Sequence, residues 1–443
     1  MYYNRNIVTH GKLLFVHFLF TLGIIIMNQA STQSEPLKPT EKAKSQIISS
    51  KKLLTIAGLG WMFDAMDVGI LSFIIAALKT DWELSATQLG WIGSVNSIGM
   101  AIGAVFFGIL SDRIGRKQVF IFTLLLFSIA SGLSALTDTL SIFLILRFFI
   151  GAGLGGELPV ASTLVAESVP ANKRGQIVVL LESFWAGGWL LAALIAYFVI
   201  PAYGWRMALI LTALPAFYAI YLRINLPDSP KFTQSQEKGL KLSFAAKIAM
   251  VWSKPYFKQT LMLWVLWFSV VFSYYGIFLW LPSVMVGKGF TLIKSFQYVL
   301  IMTLAQLPGY FLAAFLIERI GRKLVLMLFL TGTAISAFLF GQADTATLLV
   351  IYGMLLSFFN LGAWGALYAY TPEHYPTQVR GTGVGLAAAF GRIGGILGPL
   401  MVGYMISFNY SITFIFAIFA VTIMVGVLSV GLLGNETKQT ELD

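Results

Sequence analysis

Twelve apolar segments, separated by shorter polar stretches, set the limits on what this 443-residue chain can fold into. They run over 53–78, 87–110, 118–136, 140–164, 176–200, 205–222, 259–281, 295–316, 324–341, 346–369, 382–406 and 411–433, and are numbered here as spans 1 to 12. Several hold 20 or more residues with few charges, the length a helix needs to cross the ~30 Å apolar layer of a bilayer. No water is available there to satisfy a peptide group, so each span is expected to be a helix. The predicted fold class is therefore an all-α membrane protein with twelve transmembrane helices. Composition points the same way: 58% of residues are hydrophobic and 11% charged, against soluble averages of roughly 45–50% and about 25%.

The spans are not twelve independent elements. Asp112-Arg113-Ile114-Gly115-Arg116-Lys117 returns as Glu318-Arg319-Ile320-Gly321-Arg322-Lys323, and 318 minus 112 is 206. Glu167-x-x-Pro170-x-x-x-Arg174-Gly175 returns as Glu373-x-x-Pro376-x-x-x-Arg380-Gly381, and 373 minus 167 is again 206. Two unrelated motifs sharing one offset point to a duplicated half. The organisation read from this is an N-terminal extension and tail (1–52), a six-helix bundle (53–223), a cytoplasmic linker (224–257), a second six-helix bundle (258–434) and a short tail (435–443).

Residues 1–26 are the weakest part of that layout. The apolar run Leu13 to Met27 contains His17 and holds fifteen residues, short of the ~20 a span needs. Arg5 and Lys12 precede it in the manner of a signal peptide. An extra span would instead place Lys38, Lys42, Lys44, Lys51 and Lys52 outside, against the positive-inside rule. The favoured reading is a start assigned too early, with Met27 as the true start.

With the amino terminus placed inside, 22 of the 30 Lys and Arg fall in cytoplasmic segments, and only Lys79, Arg206, Lys288 and Lys294 fall outside. The formal charge of +11 is thus explained by membrane topology, and no nucleic-acid partner is needed. The expected location is the plasma membrane, with both termini cytoplasmic. The absence of Cys excludes disulfides, thiol catalysis and thiolate metal sites. The three His do not cluster, and no nucleophile with a base stands out, so neither a metal, a cofactor nor an enzyme is expected.

A six-plus-six repeat carrying Gly108-x-x-x-Asp112-Arg113-x-Gly115-Arg116-Lys117 between spans 2 and 3 resembles the major facilitator superfamily. The resemblance implies two pseudo-symmetric bundles and transport by alternating access. In physical terms, Asp112 can pair with nearby Arg and cap a helix end, while Gly108 and Gly115 permit close backbone approach. The candidate gating loop is Gly108, Asp112, Arg113, Gly115, Arg116 and Lys117, with Glu318, Arg319 and Arg322 in the second copy, acting as a latch between the bundles. The alternative is a solvated basic turn set by topology alone.

Charges inside spans are functional hypotheses by default, since each costs ~2.5–3.5 kcal/mol at a helix centre. Asp64 and Asp67, three apart, share a face of span 1. Arg147 and Glu157 lie on span 4 about 15 Å apart along a helix, too far to pair within it. Glu182 lies on span 5 and Arg392 on span 11. Asp64-x-x-Asp67 resembles the acidic pair of aromatic-acid proton symporters, and Arg147-x-x-x-Gly151 a superfamily motif on span 4. The resemblance places spans 1 and 4 on one cavity, where Arg147 can pair with Asp64 or Asp67 and be released on protonation. The candidate proton-coupling set is Asp64, Asp67, Arg147, Glu157 and Glu182; the alternative is a permanent structural ion pair. At the repeat offset, Asp64, Arg147 and Glu182 correspond to Val270, Gly353 and Ala388, and Arg392 to Ala186.

Arg392 is the one basic residue inside a span of the second half, and a guanidinium there suits bidentate capture of a carboxylate. Trp185, Tyr274, Tyr275, Trp364 and Tyr368 could wall a flat ring, and Asn96 and Asn360 could contact substrate. Each is equally suited to packing or to bonding another helix. Gly60–Phe73, Glu182–Ala186, Phe272–Pro282 and Phe390–Gly395 together resemble the bacterial niacin transporters, which lie near the aromatic-acid symporters. That implies uptake of nicotinate with a proton, by a protein whose other partner is the lipid bilayer and which is expected to be a monomer. Open alternatives are symport of another aromatic acid or organic ion, a sugar porter, and a transport-dead sensor. Few Gln or Asn on spans 5 and 7 count against a sugar porter.

Overall fold

The computed structural model describes residues 50–114, 116–168, 174–218, 221, 244–376 and 379–438. The N-terminal extension, most of the 224–257 linker and the last five residues lie outside these. The spans are helices: Ser50–Asp81 (span 1), Ala86–Ile114 (2), Arg116–Ser134 (3), Leu140–Ser168 (4), Arg174–Leu211 (5 and the start of 6), Phe257–Phe278 (7), Arg322–Gln342 (9), Ala346–Tyr370 (10), Arg380–Ser407 (11) and Ile412–Leu433 (12). Span 8 is two helices, Leu292–Leu304 and Gln306–Ile320, and the break precedes Pro308, whose ring nitrogen has no hydrogen to donate. Among the described residues ten stretches are long and apolar enough to cross a membrane. One of them, Leu180–Tyr218, contains both spans 5 and 6, divided at Gly204 with φ 80° and ψ 167°. The shorter apolar helix Leu140–Gly156 supplies span 4, which completes twelve.

The repeat extends well beyond the loop motifs. Ser85 and Gln88 form a capping box at the start of span 2, with Ser85 N donating to Gln88 Oε1 at 2.9 Å and Gln88 N to Ser85 Oγ at 3.3 Å. Thr291, 206 residues later (291 minus 85), accepts from Lys294 N at 3.3 Å and caps span 8. Thr345 and Ser411 cap spans 10 and 12 in the same way. These caps share the face opposite the Asp112 and Glu318 loops, called here the far face, the other being the motif face. On the far face Trp205 Nε1 and Arg206 also tie span 6 to Asp81 and Asp138, at 2.8 Å and 2.7 Å.

Helix packing repeats residue by residue. A Cβ on Gly103 of span 2 would strike the Ala152 carbonyl of span 4, and a Cβ on Gly309 of span 8 the Phe358 carbonyl of span 10. Both members shift by 206 (309 minus 103, 358 minus 152). Gly188 against Met62 O, between spans 5 and 1, likewise becomes Gly394 against Phe268 O, between spans 11 and 7. Lipid tails are as apolar as the side chains, so helices associate there by close contact at small residues. The product is two six-helix bundles of equivalent packing. They meet where span 2 lies on span 11 and span 5 on span 8, pairs that exchange under the same repeat. Gly90 fits against the Pro399 carbonyl and Gly403 against that of Ala86.

Gly103→Ala should lower stability by about 1–3 kcal/mol, because the added methyl meets backbone that cannot move aside. Gly385→Ala, with nothing within 4 Å of its Cβ position, should leave it unchanged or slightly raised. Thermal unfolding of the two purified variants in detergent checks the contrast.

Candidate functional site

The first bundle encloses an ion pair. Arg147 Nη1 lies 3.3 Å from Asp67 Oδ2, and neither side chain is exposed. The Ser131 hydroxyl of span 3 donates to Asp67 Oδ1 at 2.9 Å and touches the Thr212 hydroxyl at 2.6 Å. The Phe143 ring lies 5.2 Å from the guanidinium carbon. Four spans thus meet at one carboxylate. Of the two carboxylates left open as partners of Arg147, the structure places Asp67 on it. Asp64 is buried one turn nearer the motif face. Arg147 Nε and Nη2 have no acceptor within hydrogen-bonding geometry, so the guanidinium is only partly satisfied. The Glu157 side chain lies outside the described residues.

Between the bundles lies a cluster of aromatic rings. Trp185 of span 5 donates its indole N–H to the Tyr274 hydroxyl of span 7 at 2.6 Å. Its ring is 4.8 Å from that of Trp61 and 6.3 Å from that of Trp364, nearly parallel to the latter at 16°. Tyr274 is 4.8 Å from Trp364, and Tyr368 is 5.8 Å from it. One turn before Trp185, Glu182 is fully buried. The indole N–H groups of Trp61 and Trp364 flank its carboxyl group, yet neither closes a hydrogen bond to it. Asn360, on the face of span 10 that carries Trp364, is buried with both amide atoms free of partners.

Arg392 sits at the edge of this cluster. Its Nη1 donates to the Tyr275 hydroxyl at 3.0 Å and lies 3.6 Å from the Met100 sulfur of span 2, so it reaches across the bundle interface. Asn96, one turn before Met100, points its amide nitrogen at the same sulfur at 3.9 Å. Arg392 thus has a hydroxyl and a thioether as partners, both weak acceptors that leave its charge uncompensated. Among the described residues no carboxylate, Glu182 included, forms an ion pair with Arg392.

The first copy of the loop motif, with the side chains of Asp112, Arg113 and Arg116 and residue Gly115, lies outside the described residues. Lys117 is half-buried. Gly108 was expected to permit close backbone approach, but no described atom lies within 4 Å of its Cβ position. The second copy is fully visible. Arg322 binds Glu318 in bidentate fashion at 3.0 and 3.1 Å and reaches Glu373 at 3.4 Å. The helix end itself is capped by a different residue: Glu436, after span 12, accepts from Arg322 N at 2.8 Å and Lys323 N at 3.1 Å. Thr437 donates to Glu373, Lys438 Nζ to the Arg319 carbonyl, and Arg319 stacks over Phe315 at 4.2 Å. Two expectations are corrected here. Glu318 pairs with an arginine and does not cap span 9, and every described contact of this loop stays within the second half rather than bridging the bundles.

The model of the Major Facilitator Superfamily matches residues 57–309 and 298–442, which together cover most of the chain. This chain belongs to the Major Facilitator Superfamily. As a member it is a multi-pass membrane protein that carries a small-molecule substrate. A Bacillus subtilis (strain 168) protein whose name reads "Putative niacin/nicotinamide transporter NiaP" is 64% identical over 400 residues, covering 90% of this chain and 100% of that one. The "Niacin transporter NiaP" of Acinetobacter baylyi is 46% identical over 417 residues, covering 88% and 95%. The xylose transporter XylE from E. coli, in a partially occluded inward open conformation, matches 89% of this chain and 99% of its own with a TM-score of 0.74. At 20% identity that likeness speaks for the superfamily fold alone.

Several contributors had no signal of their own in the sequence. Ser131 and Thr212 are ordinary hydroxyls on apolar helices, and Met100 reads as packing. Trp61 is one aromatic among 64 Phe, Trp and Tyr, too many for any one to stand out. Glu436 lies in what reads as a tail, and only the loop it caps gives it a role.

Removing that cap is a test of the loop. Glu436→Ala should cost about 0.5–2 kcal/mol of stability, and Glu436→Gln, which still accepts a hydrogen bond, should cost less. Melting curves of the purified variants check the order. Gly321, at φ 98° with the Glu436 carboxylate where a Cβ would go, should tolerate Ala worse than either.

Proposed function

We propose that this protein is a secondary transporter that imports a small aromatic carboxylate, nicotinate, together with a proton. It works as a monomer in the plasma membrane, with the motif face and both termini cytoplasmic. The bundles 53–223 and 258–434, joined by the 224–257 linker, rock about the aromatic cluster and expose it to each side in turn. The substrate leaves chemically unchanged.

The observation that carries this reading is Arg392, a cation bonded to a tyrosine hydroxyl and a sulfur at the edge of a buried aromatic cluster. A guanidinium there is completed by a planar carboxylate, which it can hold through two parallel hydrogen bonds. Trp185, Tyr274, Tyr275 and Trp364 wall the ring, and Asn360 and Asn96 stand within the same layer. The names of the Bacillus and Acinetobacter relatives support niacin as the ring. Coupling is assigned to Asp67 and Arg147, with Asp64 on the same face. A proton on Asp67 neutralises the carboxylate, frees the already under-satisfied guanidinium and loosens the join of spans 1, 3, 4 and 6. Glu157 and the loop residues Gly108, Asp112, Arg113, Gly115, Arg116, Lys117, Glu318, Arg319 and Arg322 serve the movement rather than the ligand.

Two experiments on purified protein test this. In proteoliposomes, Asp67→Asn should abolish uphill uptake driven by a pH gradient while labelled nicotinate still exchanges; uphill uptake by the variant removes Asp67 from coupling. In binding assays, Arg392→Lys should weaken nicotinate clearly, because the planar fork is lost, and Arg392→Ala more severely. Nicotinamide, the second ligand in the Bacillus relative's name, has the same ring and no anionic charge. Its binding should change far less, and an equal loss for both ligands removes Arg392 from the carboxylate site.

A further inference from the structure

Glu182 is a charge-bearing group for which the reading above has no task. It is fully buried, and neither carboxyl oxygen has a hydrogen-bond partner. The indoles of Trp61 and Trp364 both lie against Trp185, one turn after Glu182, with ring centroids 4.8 and 6.3 Å away, and the N–H of each is itself without a partner. Three polar groups from spans 1, 5 and 10 are therefore gathered about Trp185 without bonding one another. Buried polar groups are seldom left this way unless something else completes them.

Arg392 belongs to the same space. Arg392 bonds the hydroxyl of Tyr275, whose ring lies 5.3 Å from that of Tyr274, the hydrogen-bond partner of Trp185 one turn after Glu182, while no ion pair joins Arg392 and Glu182 among the described residues. An acid and a base that border one aromatic-walled region without touching describe a ligand with two unlike polar ends. An anionic end is repelled by Glu182 and drawn to Arg392, which fixes the orientation. The other end must exchange a hydrogen bond with a carboxyl group.

We propose that Glu182 reads the ring nitrogen of the substrate, the pyridine-type nitrogen and the Glu182 carboxyl sharing one proton in a single hydrogen bond while Arg392 holds the carboxylate. This rests on the function proposed above and adds the specificity of the site. The proton balance is the same either way, O–H···N or O⁻···H–N⁺, and no further reactant is required. Trp61 and Trp364 steady the second carboxyl oxygen. A benzoate of the same shape satisfies Arg392 and the aromatic walls but leaves Glu182 without a partner. Stranding one buried polar group in this way weakens binding by roughly tenfold or more.

The test is binding of nicotinate and benzoate to the full purified chain, comparing the wild type with Glu182→Gln, Glu182→Leu and Glu182→Met. The wild type should prefer nicotinate by about tenfold or more. Both apolar variants should bring the ratio close to one, and the Met variant stands in where Leu does not fold. Glu182→Gln should keep most of the preference, since its amide N–H can donate to the ring nitrogen. An unchanged ratio in the apolar variants overturns the proposal, as does a Gln variant that loses the preference as fully as Leu. If Glu182 only carries the transported proton, Glu182→Gln abolishes gradient-driven accumulation and the apolar variants keep the ratio, which also overturns it. Equal affinity of the wild type for both ligands overturns this proposal alone, whereas a wild type that binds neither overturns the substrate reading along with it.

Discussion

The absence of water between the two faces of the membrane is the constraint from which the rest of this structure follows. Every peptide group there must be paired within the chain, so the chain crosses as helices. Helices in lipid gain little from burying apolar surface and associate through close approach instead. That is why the equivalent contacts in the two halves, Gly103 with Ala152 and Gly309 with Phe358, involve a glycine pressed on a carbonyl. The duplicated sequence conserves the approach of backbones, and the larger side chains vary around it.

The same constraint explains where the halves differ. A charge in a span is costly unless it is paired or used, so the two bundles need not both carry one. Asp67, Arg147 and Glu182 lie in the first half and have no charged counterpart at the repeat offset, while Arg392 stands opposite Ala186. The first bundle pairs its cation internally, with the Ser131 hydroxyl on the carboxylate and the Thr212 hydroxyl of a further span behind it. The second leaves its cation at the interface on a tyrosine and a sulfur. A symmetric scaffold thus holds an asymmetric site, and the asymmetry lies in which charges have protein partners.

How far the sequence foretold this depends on the kind of signal involved. Span length and the 206-residue offset are carried by many residues at once, so the twelve helices and their two-fold arrangement could be read directly. Arg147 could be read as well, because an arginine in an apolar run needs a partner. Which aspartate it meets could not, since Asp64 and Asp67 share one helical face and the relative depth of spans 1 and 4 decides between them. Glu436 was hidden for a different reason. Its role depends on the end of span 12 arriving beside the 8–9 loop, a contact between residues more than a hundred apart in the chain, and the sequence around it reads as a polar tail.

The loop network and the aromatic cluster also divide the work of movement in a way their energies suit. Arg322, Glu318, Glu373 and Glu436 join the ends of spans 8, 9, 10 and 12 through several charge-assisted bonds, all inside one half, so they stiffen a body that has to move as a unit. The bond from Trp185 to Tyr274 crosses from one half to the other and is neutral. Such a bond contributes only about 0.5–1.5 kcal/mol net. In the rocking movement proposed above that contact has to break or slide, and a link of this strength holds one state without trapping it. A charged bridge in its place would resist each cycle more strongly, which is a physical reason for the ionic contacts seen here to lie within the bundles and for rings to lie between them.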